Sequence, residues 1–170
     1  MQKKDVRKIA LVTVMVAVVC TLTLVVKIPV PATGGYIHLG DIAANFCALA
    51  FGPWLGFLIS GGGMAIADLI GYPIFAPGTF VVHGLQAVVV GYIGRTRKPW
   101  LMLLAAALGG VVVVVGYFVY ESVFLQMGAV KAASEIPVNV IQVVAGLAGV
   151  PVYILVTRAY PPVLRWAQRG

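Results

Sequence analysis

The chain has 170 residues, of which 61% are hydrophobic and 10% charged, with a mean hydropathy of +1.03. A water-soluble domain carries about 25% charged residues, so an ordinary soluble enzyme is excluded. The formal net charge of +7 lies in short basic clusters between apolar runs, with no basic stripe and no interleaved aromatics, which argues against nucleic-acid binding.

At about 20 residues per helical crossing, this length holds five or six spans and no soluble domain beside them. Residues 1–170 therefore read as a single integral membrane domain. The first apolar run, Ile9 to Ile28, follows Lys3, Lys4, Arg7 and Lys8. It is longer than the core of a signal peptide, about 7–15 residues, and Pro29-Val30-Pro31 ends it as a helix breaker, so it reads as a span. Thr13 and Ala17 form a pair of small residues one turn apart, a face for another helix of this chain or of a partner.

The stretch Ile42 to Ile70 is too long for one crossing, and Gly52-Pro53 divides it into two helices. The first of these, Ile42 to Phe51, makes only about 15 Å of helix and needs shielding by its neighbours. Further runs cover Gly78 to Gly94, Trp100 to Tyr120 and Ile136 to Thr157, giving an all-α bundle of six transmembrane helices with both termini cytoplasmic. All of the 12 basic residues except Lys27 and Lys131 then fall in inner segments: the N-terminal cluster, Arg95, Arg97 and Lys98, and Arg158, Arg165 and Arg169. This matches the cytoplasmic bias of Lys and Arg, and merging the second and third helices would break it.

Gly56, Ser60, Gly63 and Ala67 place small residues down one face of the third helix, as expected for close packing within the bundle. Ser60-Gly61-Gly62-Gly63 lacks the G-x-x-x-x-G-K-[ST] pattern of a phosphate loop and follows no strand. Cys20 and Cys47 lie in apolar stretches without metal-type spacing and read as small buried hydrophobes.

Polar side chains inside a span are costly, and here they gather towards one side of the membrane. Thr79, His83 and Gln86 share a face of the fourth helix. Asn139 and Gln142 follow Glu135 on one face of the sixth, with Gly146 and Gly149 below them. Tyr117, Tyr120 and Glu121 stand near the outer end of the fifth. Asp41 and Asn45 open the second helix, while Asp68 and Tyr72 close the third. The inner half carries almost none of these groups, so the pattern describes an outward pocket closed below and not a pore. His83 reads either as a ligand contact or as a structural hydrogen bond, Glu121 as a contact or a rim charge, and Asp41 as a contact or a helix N-cap. His38 lies in the outer loop, and Lys131 and Glu135 read as part of a solvated loop.

Four segments carry a family resemblance: Gly35-Tyr36-Ile37-His38-Leu39-Gly40-Asp41, Phe51-Gly52-Pro53-Trp54-Leu55-Gly56, Ala67-Asp68-Leu69 to Pro77-Gly78-Thr79, and Gly84 to Gly91. Together they resemble the substrate-binding S components of energy-coupling factor (ECF) vitamin transporters. The resemblance implies a high-affinity binding subunit for a vitamin or precursor, embedded in a prokaryotic cell membrane. It also implies partners: a transmembrane coupling protein and two ATPase subunits. It implies no catalysis, cofactor or metal in this chain. It places Tyr36 through Asp41 as a cap on the pocket and the outer parts of the fourth, fifth and sixth helices as its lining. The first helix of the family usually carries Ala-x-x-x-Ala for docking; here Val14 follows Ala10, and Thr13 and Ala17 keep the spacing.

The Gly35 to Asp41 run looks closer to hydroxymethylpyrimidine and pyridoxine-type carriers than to the usual riboflavin binders. Tyr, Asn, Gln and His suit a planar heteroaromatic, and carboxylates with few outer basic residues suit a neutral or cationic one better than a polyphosphate. A stand-alone secondary transporter is the alternative, although no matched broken helices support it. A metal-dependent intramembrane enzyme using His38, His83 and the carboxylates is the second, without H-E-x-x-H, G-x-S-x-G or paired-Cys spacing.

Overall fold

The computed structural model describes residues 3–31 and 35–162; Arg165 and Arg169 of the third inner cluster lie outside them. Its elements are α1 (Lys3–Val25), β1 (Ile28–Val30), β2 (Gly35–Ile37), α2 (Gly40–Phe51), α3 (Pro53–Gly71), α4 (Ala76–Ile93), α5 (Pro99–Val119), α6 (Ala129–Ala133), α7 (Ile136–Gly146) and α8 (Gly149–Ala159). A π-helical turn, Tyr120–Phe124, extends α5. Among the described residues five apolar segments are long enough to cross a membrane, and α2 is the shorter sixth.

Gly52 and Pro53 separate α2 from α3 as their chemistry requires. Gly52 adopts φ 81°, which a Cβ would disfavour, and Pro53 starts α3 where no backbone N–H is needed. The helices then pack antiparallel: a methyl on Gly56 would lie 2.9 Å from Ala48 Cα, and Ser60 Oγ donates to Ala44 O at 3.4 Å. Gly63 faces α1, where a methyl would come within 2.8 Å of Val16 O. The small-residue face is thus internal packing, with Ala67 fully buried.

Close approaches between Gly84 and Phe57 and between Gly91 and Pro53 set α4 antiparallel to α3. Those between Gly109 and Val90 and between Gly116 and Val82 do the same for α4 and α5. The α7–α8 segment runs parallel to α2, with Gly146 against Asp41 and Gly149 against Asn45. These pairings give the alternation that six crossings demand. The outer surface is apolar, with Ile9, Leu58, Leu85, Leu103, Val111 and Ile141 exposed. Cys47 is buried, whereas Cys20 is only partly so.

Two boundaries differ from those read in sequence. The first helix ends at Val25, and Ile28-Pro29-Val30 forms an antiparallel pair with Gly35-Tyr36-Ile37, register Ile28↔Ile37. A proline is tolerated in such a two-stranded edge pairing. The sixth span is not one helix from Ile136 to Thr157 but breaks between Gly146 and Gly149. Pro151 explains the break: it has no N–H for Leu147 O, and its ring collides with that carbonyl in a continuous helix.

Candidate functional site

The polar groups of α2, α4 and α7 converge because these three helices run parallel and present the same end together. Asp41 lies within the first turn of α2 and is 1% exposed; Leu39, not Asp41, occupies the N-cap position, and no side chain caps it. The N-cap reading of Asp41 is therefore corrected. Its carboxylate turns inward, where Gln142 Nε2 donates to Oδ2 at 2.7 Å and His83 Nδ1 lies 3.2 Å from Oδ1.

His83 Nδ1 is also 2.7 Å from Gln86 Oε1, an acceptor, so Nδ1 carries the proton. Gln86 Nε2 reaches Asn45 Oδ1 at 3.5 Å, and Asn45 Nδ2 donates to Gly146 O at 2.9 Å. Asn45 thereby binds a carbonyl at the break in the sixth span. The opposite ring nitrogen of His83, Nε2, is buried with no partner among the described residues.

The β2 strand and the connection after it add a wall. The Tyr36 hydroxyl donates to Asp68 Oδ1. Thr79 Oγ1 donates to Asp68 Oδ2 at 2.5 Å and sits 2.7 Å from the Tyr117 hydroxyl, which donates to it in turn. Burial and the adjacent Asp68 carboxylate push the Tyr36 phenol far above its usual pKa, so it remains a donor. The Tyr36 ring stacks on Tyr72 at 4.5 Å between centroids, and Lys27 Nζ stands 4.8 Å from the Tyr36 centroid.

Gln142 Oε1 accepts the His38 backbone N–H at 3.2 Å, and His38 Nδ1 accepts the Gly40 N–H at 3.2 Å. Burial holds the His38 imidazole down at about 4, consistent with a neutral ring accepting at Nδ1.

These groups surround a small cavity lined by Tyr36, His38, Asp68, Phe75, Tyr117, Glu121, Glu135, Asn139 and Gln142. Seven residues that the sequence placed around the outer pocket line it: Tyr36, His38, Asp68, Tyr117, Glu121, Asn139 and Gln142. Asp41, Asn45, Thr79, His83 and Gln86 stand behind the lining as its hydrogen-bonded support. Tyr120 does neither, since its hydroxyl donates to Ile74 O at 2.7 Å and its ring stacks on Phe124.

Glu135 corrects the solvated-loop reading. It is 4% exposed and lines the cavity, because the short α6 and the start of α7 fold inward, while Lys131 stays exposed. Phe75, just before α4, was not singled out; an aromatic between Pro73 and Pro77 gave no periodic signal. Deeper along the same helices the packing is dry, with Ala48, Phe51, Ala87, Val90, Met102, Ala106, Val150 and Tyr153 buried together. Among the described residues no three His, Cys, Asp or Glu side chains come together to hold a metal ion.

Residues 3–159 match the family model of the ECF-type riboflavin transporter S component. The chain belongs to this S-component family. It is 38% identical over 130 residues to an uncharacterized protein of Pyrococcus woesei, covering 76% of this chain and 86% of that protein. It is also 29% identical over 149 residues to the thiamine precursor transporter HmpT of Lactococcus lactis subsp. cremoris (strain MG1363), covering 86% and 84%.

Its fold is similar to that of the S component of a bacterial ECF transporter, with TM-score 0.70, 17% identity, and coverage of 95% of this chain and 99% of that one. It is similar too to the S component for biotin from an ECF-type ABC transporter, with TM-score 0.67, 16% identity, and coverage of 100% and 96%. This S component is thus a multi-pass membrane protein of vitamin uptake that works with an ECF module, and it is not an enzyme.

Proposed function

We propose that the cavity captures a small planar heteroaromatic vitamin precursor, of pyrimidine or pyridoxine type, from the outer side of the membrane. The observation that carries this reading is the lining itself. Aromatic rings of Tyr36, Phe75 and Tyr117 meet the amides of Asn139 and Gln142 and three carboxylates, with no Lys or Arg among them. Rings offer stacking, and amides offer edge hydrogen bonds. Carboxylates in a lining that holds no Lys or Arg disfavour a phosphate. The likeness to a thiamine precursor transporter favours the pyrimidine type.

In this reading the tightly bound substrate passes inward only when a transmembrane coupling protein and two ATPases act on the subunit. Thr13 and Ala17 form the docking face on α1. Both are exposed, so no helix among the described residues covers them. Exposure of Arg95, Arg97, Lys98 and Arg158 at the other end from the cavity supports cytoplasmic termini.

Calorimetry on the purified protein in detergent, without nucleotide, tests the assignment with hydroxymethylpyrimidine, pyridoxine, riboflavin and biotin. The expected order places hydroxymethylpyrimidine or pyridoxine first. Absence of binding by all four would overturn the capture site. Uptake into liposomes by this chain alone, driven by an ion gradient, would restore the stand-alone secondary transporter.

A further inference from the structure

Glu121 and Glu135 have an incomplete set of partners. Glu121 sits on the π-helical turn after α5, a rare geometry concentrated at functional positions, and Glu135 immediately precedes α7. They are 2% and 4% exposed, and both line the cavity. Glu121 Oε2 and Glu135 Oε1 are buried without a hydrogen-bond partner among the described residues.

The lining offers no cation to either carboxylate. Lys131, whose charge reaches Glu121, is exposed and forms no ion pair with either among the described residues. The helix dipole favours an acidic group at the start of α7, yet it does not explain why that group is only 4% exposed with one oxygen unmatched. Two buried carboxylates facing one space repel each other, and a positively charged donor between them removes both defects.

We propose that Glu121 and Glu135 form a two-carboxylate subsite for a cationic, N–H-rich edge of the captured molecule. The ligand is accordingly an amine or an amino-substituted heteroaromatic, and neither an acid nor a phosphate ester. This rests on the reading of the cavity as the capture site and narrows it. Charge-assisted hydrogen bonds to carboxylates are about twice as strong as neutral ones, so the preference should be measurable as a ratio of affinities.

Two probes differing at one group test it: hydroxymethylpyrimidine with its ring amino group, and the same ring with that amino group replaced by hydroxyl. Binding is measured by calorimetry on the full chain in detergent. The wild type is expected to prefer the amino probe by about tenfold or more, and Glu121→Gln and Glu135→Gln each to bring the two affinities to within about threefold. Thermal unfolding checks the fold of each variant, and Glu121→Asp, which restores the charge, should recover part of the preference.

Equal affinity of the wild type for both probes, or an undiminished preference in both folded Gln variants, would overturn the subsite while leaving the capture reading intact. Tight binding of riboflavin or biotin with neither pyrimidine bound would do the same. If none of these compounds binds, the capture reading fails and the subsite fails with it.

Discussion

Gln142 and Asp41 stand 101 positions apart in the chain, and a 2.7 Å hydrogen bond ties them together. The same Gln142 amide accepts the His38 backbone N–H, so one side chain joins α7, α2 and the strand-borne wall of the cavity. Gln142→Ala strands two buried polar groups, each at a cost of about 1–3 kcal/mol. The variant should unfold at a temperature several degrees lower. Gln142→Glu also removes the donor and sets a second carboxylate beside Asp41, so it should fall further. Thermal unfolding in detergent measures both.

Asn139 lines the cavity, whereas His83 and Gln86 stand behind it. Asn139→Ala should weaken ligand binding by roughly 1–3 kcal/mol with little change in thermal stability. His83→Ala and Gln86→Ala should lower both, because Asp41 and Asn45 lose partners that hold the support in place. Calorimetry and melting curves on the three variants separate lining from support. Loss of stability confined to Asn139→Ala would reverse the assignment.

His38 makes stability depend on acidity. An unfolded imidazole titrates near 6.5, and the buried one is held at about 4, so between these values the unfolded chain binds more protons. Stability should rise with pH across this window, be lost as pH falls from 6.5 towards 4, and be insensitive to His38 above it. Two to three pH units correspond to about 3 kcal/mol as an upper figure. The melting temperature of the wild type minus that of His38→Asn, followed from pH 7 to pH 4, isolates this contribution from the carboxylates. A flat difference would contradict it.

Ala17 is exposed on α1, so among the described residues a larger side chain there has open space. Ala17→Leu should leave substrate binding by the isolated subunit unchanged and reduce assembly with the ECF module, since bulk on a small-residue face separates helix backbones. Co-purification with the module and equilibrium binding are the two readouts. Equal loss of both would place Ala17 in internal packing.

Much of the bundle was legible in sequence because span lengths and charge placement are properties of composition. The Gly52-Pro53 division and the buried Gly56 to Ala67 face follow from residue type alone. The β1–β2 pair was not legible: strands of three residues have no period to read, and their register exists only as pairing. The broken sixth span had a signal in Pro151, four residues after Leu147, masked by the apolar residues around it.

Within the site, helical spacing identified which face carries Thr79, His83 and Gln86. Spacing does not tell whether such a face borders an opening or another polar side chain, and here it borders Asp41, Asp68 and Asn45. Glu135 was misplaced for a related reason: proximity to a loop in sequence is no measure of access to water.

The shortness of α2 has a consequence for the journey of a passenger molecule. Its 12 residues reach about 18 Å, against a hydrocarbon layer of about 30 Å. Its far end packs against Gly91, close to the exposed Arg95, Arg97 and Lys98. Asp41 therefore rests well beneath the opposite headgroups, at the bottom of a well sunk into the bilayer. In the proposed capture reading, a molecule seated above Asp41 has covered roughly two-fifths of the greasy distance without meeting lipid, and the remaining barrier is the apolar stack of Ala48, Phe51, Val90 and Tyr153.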